Sequence, residues 1–110
     1  MGETRTDPIT LARIAAVATR YTRTGTLTDE QRDQAITELA QLADGRTDLL
    51  AEHAGVALGF QDSCEGFHAA QLGLEVELCV QAGADLSQLE HWRVVGHERA
   101  TRARQIPRTW

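Results

Sequence analysis

A chain of 110 residues is long enough for one core and too short to divide, and with 42% hydrophobic but only 5% aromatic residues it has little from which to build a sheet. The formal net charge is −5, and neither lysine nor asparagine occurs, a bias of coding sequences rich in G and C. Met1-Gly2-Glu3-Thr4-Arg5 lacks the apolar core of a signal peptide, and no apolar run approaches the ~18 residues that span a bilayer, so the expectation is a cytoplasmic protein with no membrane segment.

Helical spacing runs through most of the chain. Asp7 as N-cap and Pro8 at the first helical position open helix one, whose buried side is Leu11, Ile14, Ala15, Val17, Ala18 and Tyr21 and which Gly25 ends. Thr28 and Gln31 make a capping box, with Leu27 as a hydrophobic staple, for a second helix buried through Ala35, Ile36, Leu39, Leu42 and Ala43 and closed by Gly45. Thr47 is the expected cap of a third helix reaching Phe60, apolar almost all round and therefore central. The chain then folds back at Gln61-Asp62-Ser63.

Asp62 or Ser63 is the expected cap of a fourth helix ending before Gly83, with Phe67, Leu74 and Leu78 buried and Glu75 and Glu77 facing water. Ala51, Gly55 and Gly59 recur every four residues, and each interior glycine costs about 1 kcal/mol relative to alanine, so a close helix contact is needed to explain them. Reversal near Asp62 places Gly55 near Ala69 and Ala70, and Ala51 near Gly73, in a tight hairpin. Ser87 and Glu90 repeat the capping-box pattern ahead of a fifth helix with Leu86, Leu89, Trp92 and Val95 inward. Beyond Val95 that apolar face disappears, which predicts a fraying end or a partner, and Pro107 terminates the helix.

The architecture expected is therefore all-α, a compact bundle of about five helices, mostly antiparallel, with a central tight helical hairpin, forming a single domain over residues 1–110 with flexible ends at 1–6 and 105–110. Charge is unevenly spread: residues 1–25 sum to +2, 26–90 to −11 and 91–110 to +4, so the basic tail is expected against the acidic body of its own or a second copy.

Several constellations carry possible chemistry. Glu65 and His68 form an E-x-x-H, the spacing that sets two ligands on one helix face, and Cys64 with His68 offers two corners of a zinc site, but either needs further ligands. Cys64 and Cys79 are roughly 22 Å apart along one helix, too far for a disulfide, which requires Cα atoms within about 7 Å. His53, His91 and His97 stand beside acids in sequence, yet adjacent helical residues do not face one another, so these pairs are not dyads. Arg93, Arg99, Arg102, Arg104 and Arg108 with Trp92 and Trp110 are the material of a nucleic-acid surface, but the acidic body opposes a polyanion. No phosphate-cradling loop, G-x-S-x-G, H-E-x-x-H or C-x-x-C is present.

At Arg46-Thr47-Asp48-Leu49-Leu50-Ala51-Glu52-His53-Ala54-Gly55, and again at Ala82-Gly83-Ala84-Asp85 followed by Trp92 and the Arg-rich end, the chain resembles uncharacterised small all-helical proteins of high-GC actinobacteria. The resemblance covers about Leu27 to Arg102, and it implies an all-helical fold and a cytoplasmic setting without attaching an activity. Val94-Val95-Gly96-His97 stands where those proteins carry an Arg/Glu-rich final helix.

The functional expectation is a non-enzymatic protein-interaction module that self-associates, as a homodimer, or binds a protein partner through its last helix and basic tail, with Trp92, Arg93, His97, Arg99 and Arg102 as contact residues. The alternative is a metal- or ligand-binding bundle, enzymatic or not, using Glu65, His68 and Cys64 in a polar pocket between helices; the second alternative is accessory DNA binding. No catalytic residue, resident metal or cofactor is assigned, and nucleic acid and membrane are disfavoured as partners.

Overall fold

The computed structural model describes residues 7–105. Five α-helices follow in order, α1 (Pro8–Thr22), α2 (Asp29–Ala43), α3 (Thr47–Gln61), α4 (Gly66–Gln81) and α5 (Leu89–Gln105), with a 3₁₀ turn at Leu86–Gln88 before the last. Among the described residues there is no strand. The chain is an all-α bundle. No helix of the described residues is long and apolar enough to cross a membrane.

The helix starts with the strongest local chemistry form as the sequence predicts. Asp7 accepts the Thr10 amide at 3.0 Å and the Thr10 hydroxyl at 2.8 Å, with Pro8 just inside. The capping box of α2 is complete: the Gln31 amide donates to the Thr28 hydroxyl at 3.1 Å, and the Thr28 amide to the Gln31 side chain at 2.9 Å. At the end of α4, Gly83 lies at φ 113°, where its amide reaches Val80 O and the Ala84 amide reaches Cys79 O, a Schellman closure.

Other caps differ. Thr47 is the first residue of α3 and Arg46 its cap, without a side-chain cap bond. Asp62 closes α3, and α4 begins only at Gly66 after Glu65. Asp85 takes the place expected of Ser87: its carboxylate accepts the Ser87 amide at 3.1 Å and hydroxyl at 2.7 Å, and the Gln88 side chain at 3.0 Å. A carboxylate with two oxygens holds the whole turn, which is why the helix proper starts at Leu89.

Helix α3 is the centre and packs against all four other helices. Leu49, Leu50, Ala51 and Ala54 are each at most 1% exposed, and Ile14, Leu39 and Leu78 from α1, α2 and α4 close over them. Burying a leucine or isoleucine contributes roughly 1.5–3 kcal/mol, so this cluster is the main source of stability.

Gly55 and Gly59 do mark a close helix contact, but the partner is α5 and not α4. A Cβ on Gly55 would lie 2.4 Å from Trp92 Cβ, one on Gly59 2.3 Å from Arg93 O, and one on Gly96 2.4 Å from Val56 O. These glycines interlock two backbones that run in the same direction, since Gly55 meets Leu89 and Trp92 while Gly59 meets Arg93 and Gly96. Helix α4 runs antiparallel to α3, with the Gln61 amide group donating to Ala69 O at 2.9 Å and Gly73 facing the Gln61 side chain. Van der Waals contact through glycine replaces the large side chains α5 lacks beyond Val95, and α5 continues to Gln105 with Ala100 buried.

Three burial expectations are corrected. Phe67 is 58% exposed because α4 starts late and its ring lies across Gly25, and Leu86 is 62% exposed because it belongs to the 3₁₀ turn. Glu75, expected in water, is buried at 5%. Glu77 does face solvent and pairs with Arg32 of α2 at 3.0 Å. Arg108, Trp110, the Pro107 stop and the flexible ends expected at 1–6 and 105–110 lie outside the described residues except for Gln105, which is helical.

Candidate functional site

The contact residues expected on the last helix are distributed over three environments. Trp92 is half-buried, its Cβ against Gly55 and its ring edge-on to His91 at 4.8 Å. Arg93 is engaged, with its Nε 3.0 Å from an Asp62 carboxylate oxygen at the end of α3. His97 and Arg102 are exposed and line an open depression with Glu98 and Thr101, where Val94 nearby is the one large apolar side chain of α5 left exposed among the described residues. That outer face is a solvated mixture of both charges. Arg99 lies apart, on the side facing α1.

Glu65 and His68 are both exposed, on the cap and first turn of α4, so they do not form the polar pocket between helices; Cys64 is a half-buried free thiol in the preceding turn. Cys79 is buried, and burial, helped by nearby Glu75, pushes its thiol up to about 12. Among the described residues no group of three or more His, Cys, Asp or Glu side chains stands where it could hold a metal ion.

A polar pocket does exist, elsewhere. Helix α1 presents Pro8, Leu11, Ala12 and Ala15, spaced three and four apart on one face whose phase is set by the Asp7 cap. Helix α3 supplies Glu52, His53 and Val56. Gly96 seats on the Val56 backbone and draws α5 close, and Arg99, three residues on, reaches the rim on the same side of α5. The result is a groove of about 330 Å³ with apolar walls and three ionisable groups.

Those three groups are unequal. His53 Nε2 stands 2.8 Å from Glu75 Oε1 of α4, with His53 and Glu75 side chains 16% and 7% exposed, so the ring is held in place by a buried carboxyl. Glu52 is 7% exposed and, among the described residues, has neither a hydrogen bond nor an ion pair. Burial raises its carboxyl above the usual range; Arg99 opposes this, Asp48 adds to it, and His53 opposes it weakly. Arg99 is exposed and forms no ion pair within 4.0 Å of Glu52, so its charge acts through solvent.

The His53–Glu75 pair is a contact that the sequence reading missed. Its signal was present: the two residues are equidistant from Cys64, and a hairpin folded about that residue, not Asp62, brings them opposite one another. The exclusion of dyads between neighbours such as Glu52 and His53 holds geometrically, but it says nothing about partners across helices. Chemically the groove offers charge, hydrogen bonding and apolar surface, with no hydroxyl or thiol among its lining side chains. Compared with protein families, with curated proteins and with solved structures, the chain matches none.

Proposed function

We propose that this chain is a non-enzymatic binding module whose ligand seats in the groove between α1, α3 and α5. The reading retains the last helix as a contact element and moves the contact from its outer face to the side carrying Arg99. The observation that carries it is Glu52: the residue is only 7% exposed, its carboxyl has no hydrogen-bond or ion-pair partner among the described residues, and what exposure it keeps opens on an apolar groove. Small-ligand sites have this composition, apolar walls with a few placed polar groups.

Binding without catalysis is favoured by the state of the candidate reactive groups. His53 is tied to Glu75, the Cys79 thiol is buried and held in its protonated form, and the groove has no hydroxyl or thiol nucleophile. The outer face of α5 is less suited to be the primary surface, because Arg93 is already paired and Val94 alone offers apolar area there. A ligand-observed NMR screen of small fragments tests the proposal, comparing the native chain with Ala12→Trp, a substitution at an exposed position that fills the groove. Hits lost in the filled variant support the groove; hits that survive it, or a complete absence of hits, contradict it.

A further inference from the structure

Resting on the reading of the groove as the binding surface, we propose that its ligand is a small organic monocation, a protonated amine on an apolar body, with the ammonium group against the Glu52 carboxylate and the body along Leu11, Ala12, Ala15 and Val56. Two independent observations meet here: an open apolar groove of ligand dimensions, and a Glu52 residue only 7% exposed that lines it, with no hydrogen bond or ion pair among the described residues. At about 330 Å³ the groove lies at the low end of the ~300–1,000 Å³ typical of ligand pockets, which fits a compact molecule.

The sign of the ligand follows from charge. A cation seated against Glu52 favours the ionised carboxyl over the neutral form that burial favours; an ionised carboxyl accepts hydrogen bonds and donates none, so it matches an N–H donor, and a cationic donor forms a bond roughly twice as strong as a neutral one. An anion meets the same carboxyl unfavourably and approaches a body whose residues 26–90 carry −11. Arg99 on the rim opposes each added positive charge, and a diamine would meet that repulsion twice for the one carboxylate of Glu52, which favours a monoamine over a diamine. His53 does not compete for Glu52, because its Nε2 is engaged by Glu75. The groups facing Glu52 are thus Asp48 and His53 on α3 and Arg99 on α5, with Glu75 of α4 behind His53.

The test uses three probes of equal length, n-hexylammonium, 1-hexanol and hexanoate, titrated into the full isotope-labelled chain while the methyl signals of Ala12, Ala15 and Val56 are followed by NMR. Hexylammonium is expected to half-saturate these signals at a concentration roughly tenfold below hexanol, with hexanoate weakest, and Glu52→Gln is expected to remove the preference for the amine without removing hexanol binding. The comparison of probes on the native chain stands even if Glu52→Gln does not fold. Equal response to hexanol or hexanoate would overturn the amine assignment and leave the groove as the binding surface. No movement of the three methyl groups with any probe would overturn both.

Discussion

Substituting alanine at Gly59 separates packing from helix propensity. Propensity alone favours alanine by about 1 kcal/mol in a helix interior. The added Cβ, however, would lie 2.3 Å from Arg93 O, 2.5 Å from His97 N and 2.8 Å from Gly96 C, against an ordinary contact of 3.4–4 Å. All three are backbone atoms, so no side chain can rotate away, and α5 must retreat by roughly 1 Å along its contact with α3. Overpacking of this kind costs about 1–3 kcal/mol, and the withdrawn helix also loses dispersion contacts along the interface. The net expectation is a loss of about 2 kcal/mol, a fall of roughly 8 °C in Tm for a domain of this size. Gly73→Ala is the control: its Cβ would meet only the flexible end of Gln61, at 2.8 Å, so that side chain yields and gives up its bond to Ala69 O, which offsets the gain in helix propensity and leaves Tm within about 2 °C of the native value. Thermal unfolding followed by circular dichroism at 222 nm reads both. A Gly59→Ala chain as stable as the native one, or more stable, would refute the interlocked α3–α5 contact.

Glu75→Ala removes the partner of a largely buried imidazole and leaves a cavity, with an expected cost of about 1–3 kcal/mol in urea unfolding; an unchanged midpoint would show that the pair is incidental. Glu52 contributes in the opposite sense. Because its folded pKa is raised, its favourable contribution is complete below the unfolded value and is lost as pH rises through the folded one, so Glu52→Gln should raise Tm at pH 7.5, and a lowered Tm would reveal a partner for the charge. Glu38, lowered first by the Tyr21 hydroxyl and then by Arg20, has stability to give above the ordinary glutamate range that disappears as pH falls through its folded pKa; NMR titration of its carboxyl carbon should show the depressed value, and an ordinary one would mean that the Tyr21 contact does not persist in solution. Iodoacetamide at pH 8 should alkylate half-buried Cys64 and spare Cys79, as read by peptide mass spectrometry; equal labelling of the folded chain would contradict the burial of Cys79.

What the sequence makes legible is what neighbours decide. The Asp7 cap, the Thr28–Gln31 box and the Gly83 turn depend on residues within five positions of one another, and each forms as read. The apolar stripe of α3 likewise places that helix at the centre. Partner choice is different. Gly55 and Gly59 announce a close approach, but the identity of the approaching helix depends on how far the chain travels after Gly83, and α5 returns parallel to α3 to occupy the face first assigned to the hairpin. How α4 packs decides Phe67 and Glu75: the helix turns the side carrying Glu75, Leu78 and Cys79 inward, which brings Glu75 to His53, while Phe67, one residue after the start at Gly66, lies beyond the core across Gly25. The groove was not legible, because it is made of what three helices leave uncovered, and Leu11 and Ala15 in its wall read singly as ordinary core positions.

The measurement that tests the account most directly is the pH titration of the Glu52 carboxyl carbon by NMR in the free chain. A pKa above the ordinary glutamate value is expected, because burial of the residue outweighs the opposing charge of Arg99. A value at or below the ordinary one would mean that Glu52 is solvated or already paired, and the groove would lose the group on which its function is proposed to depend.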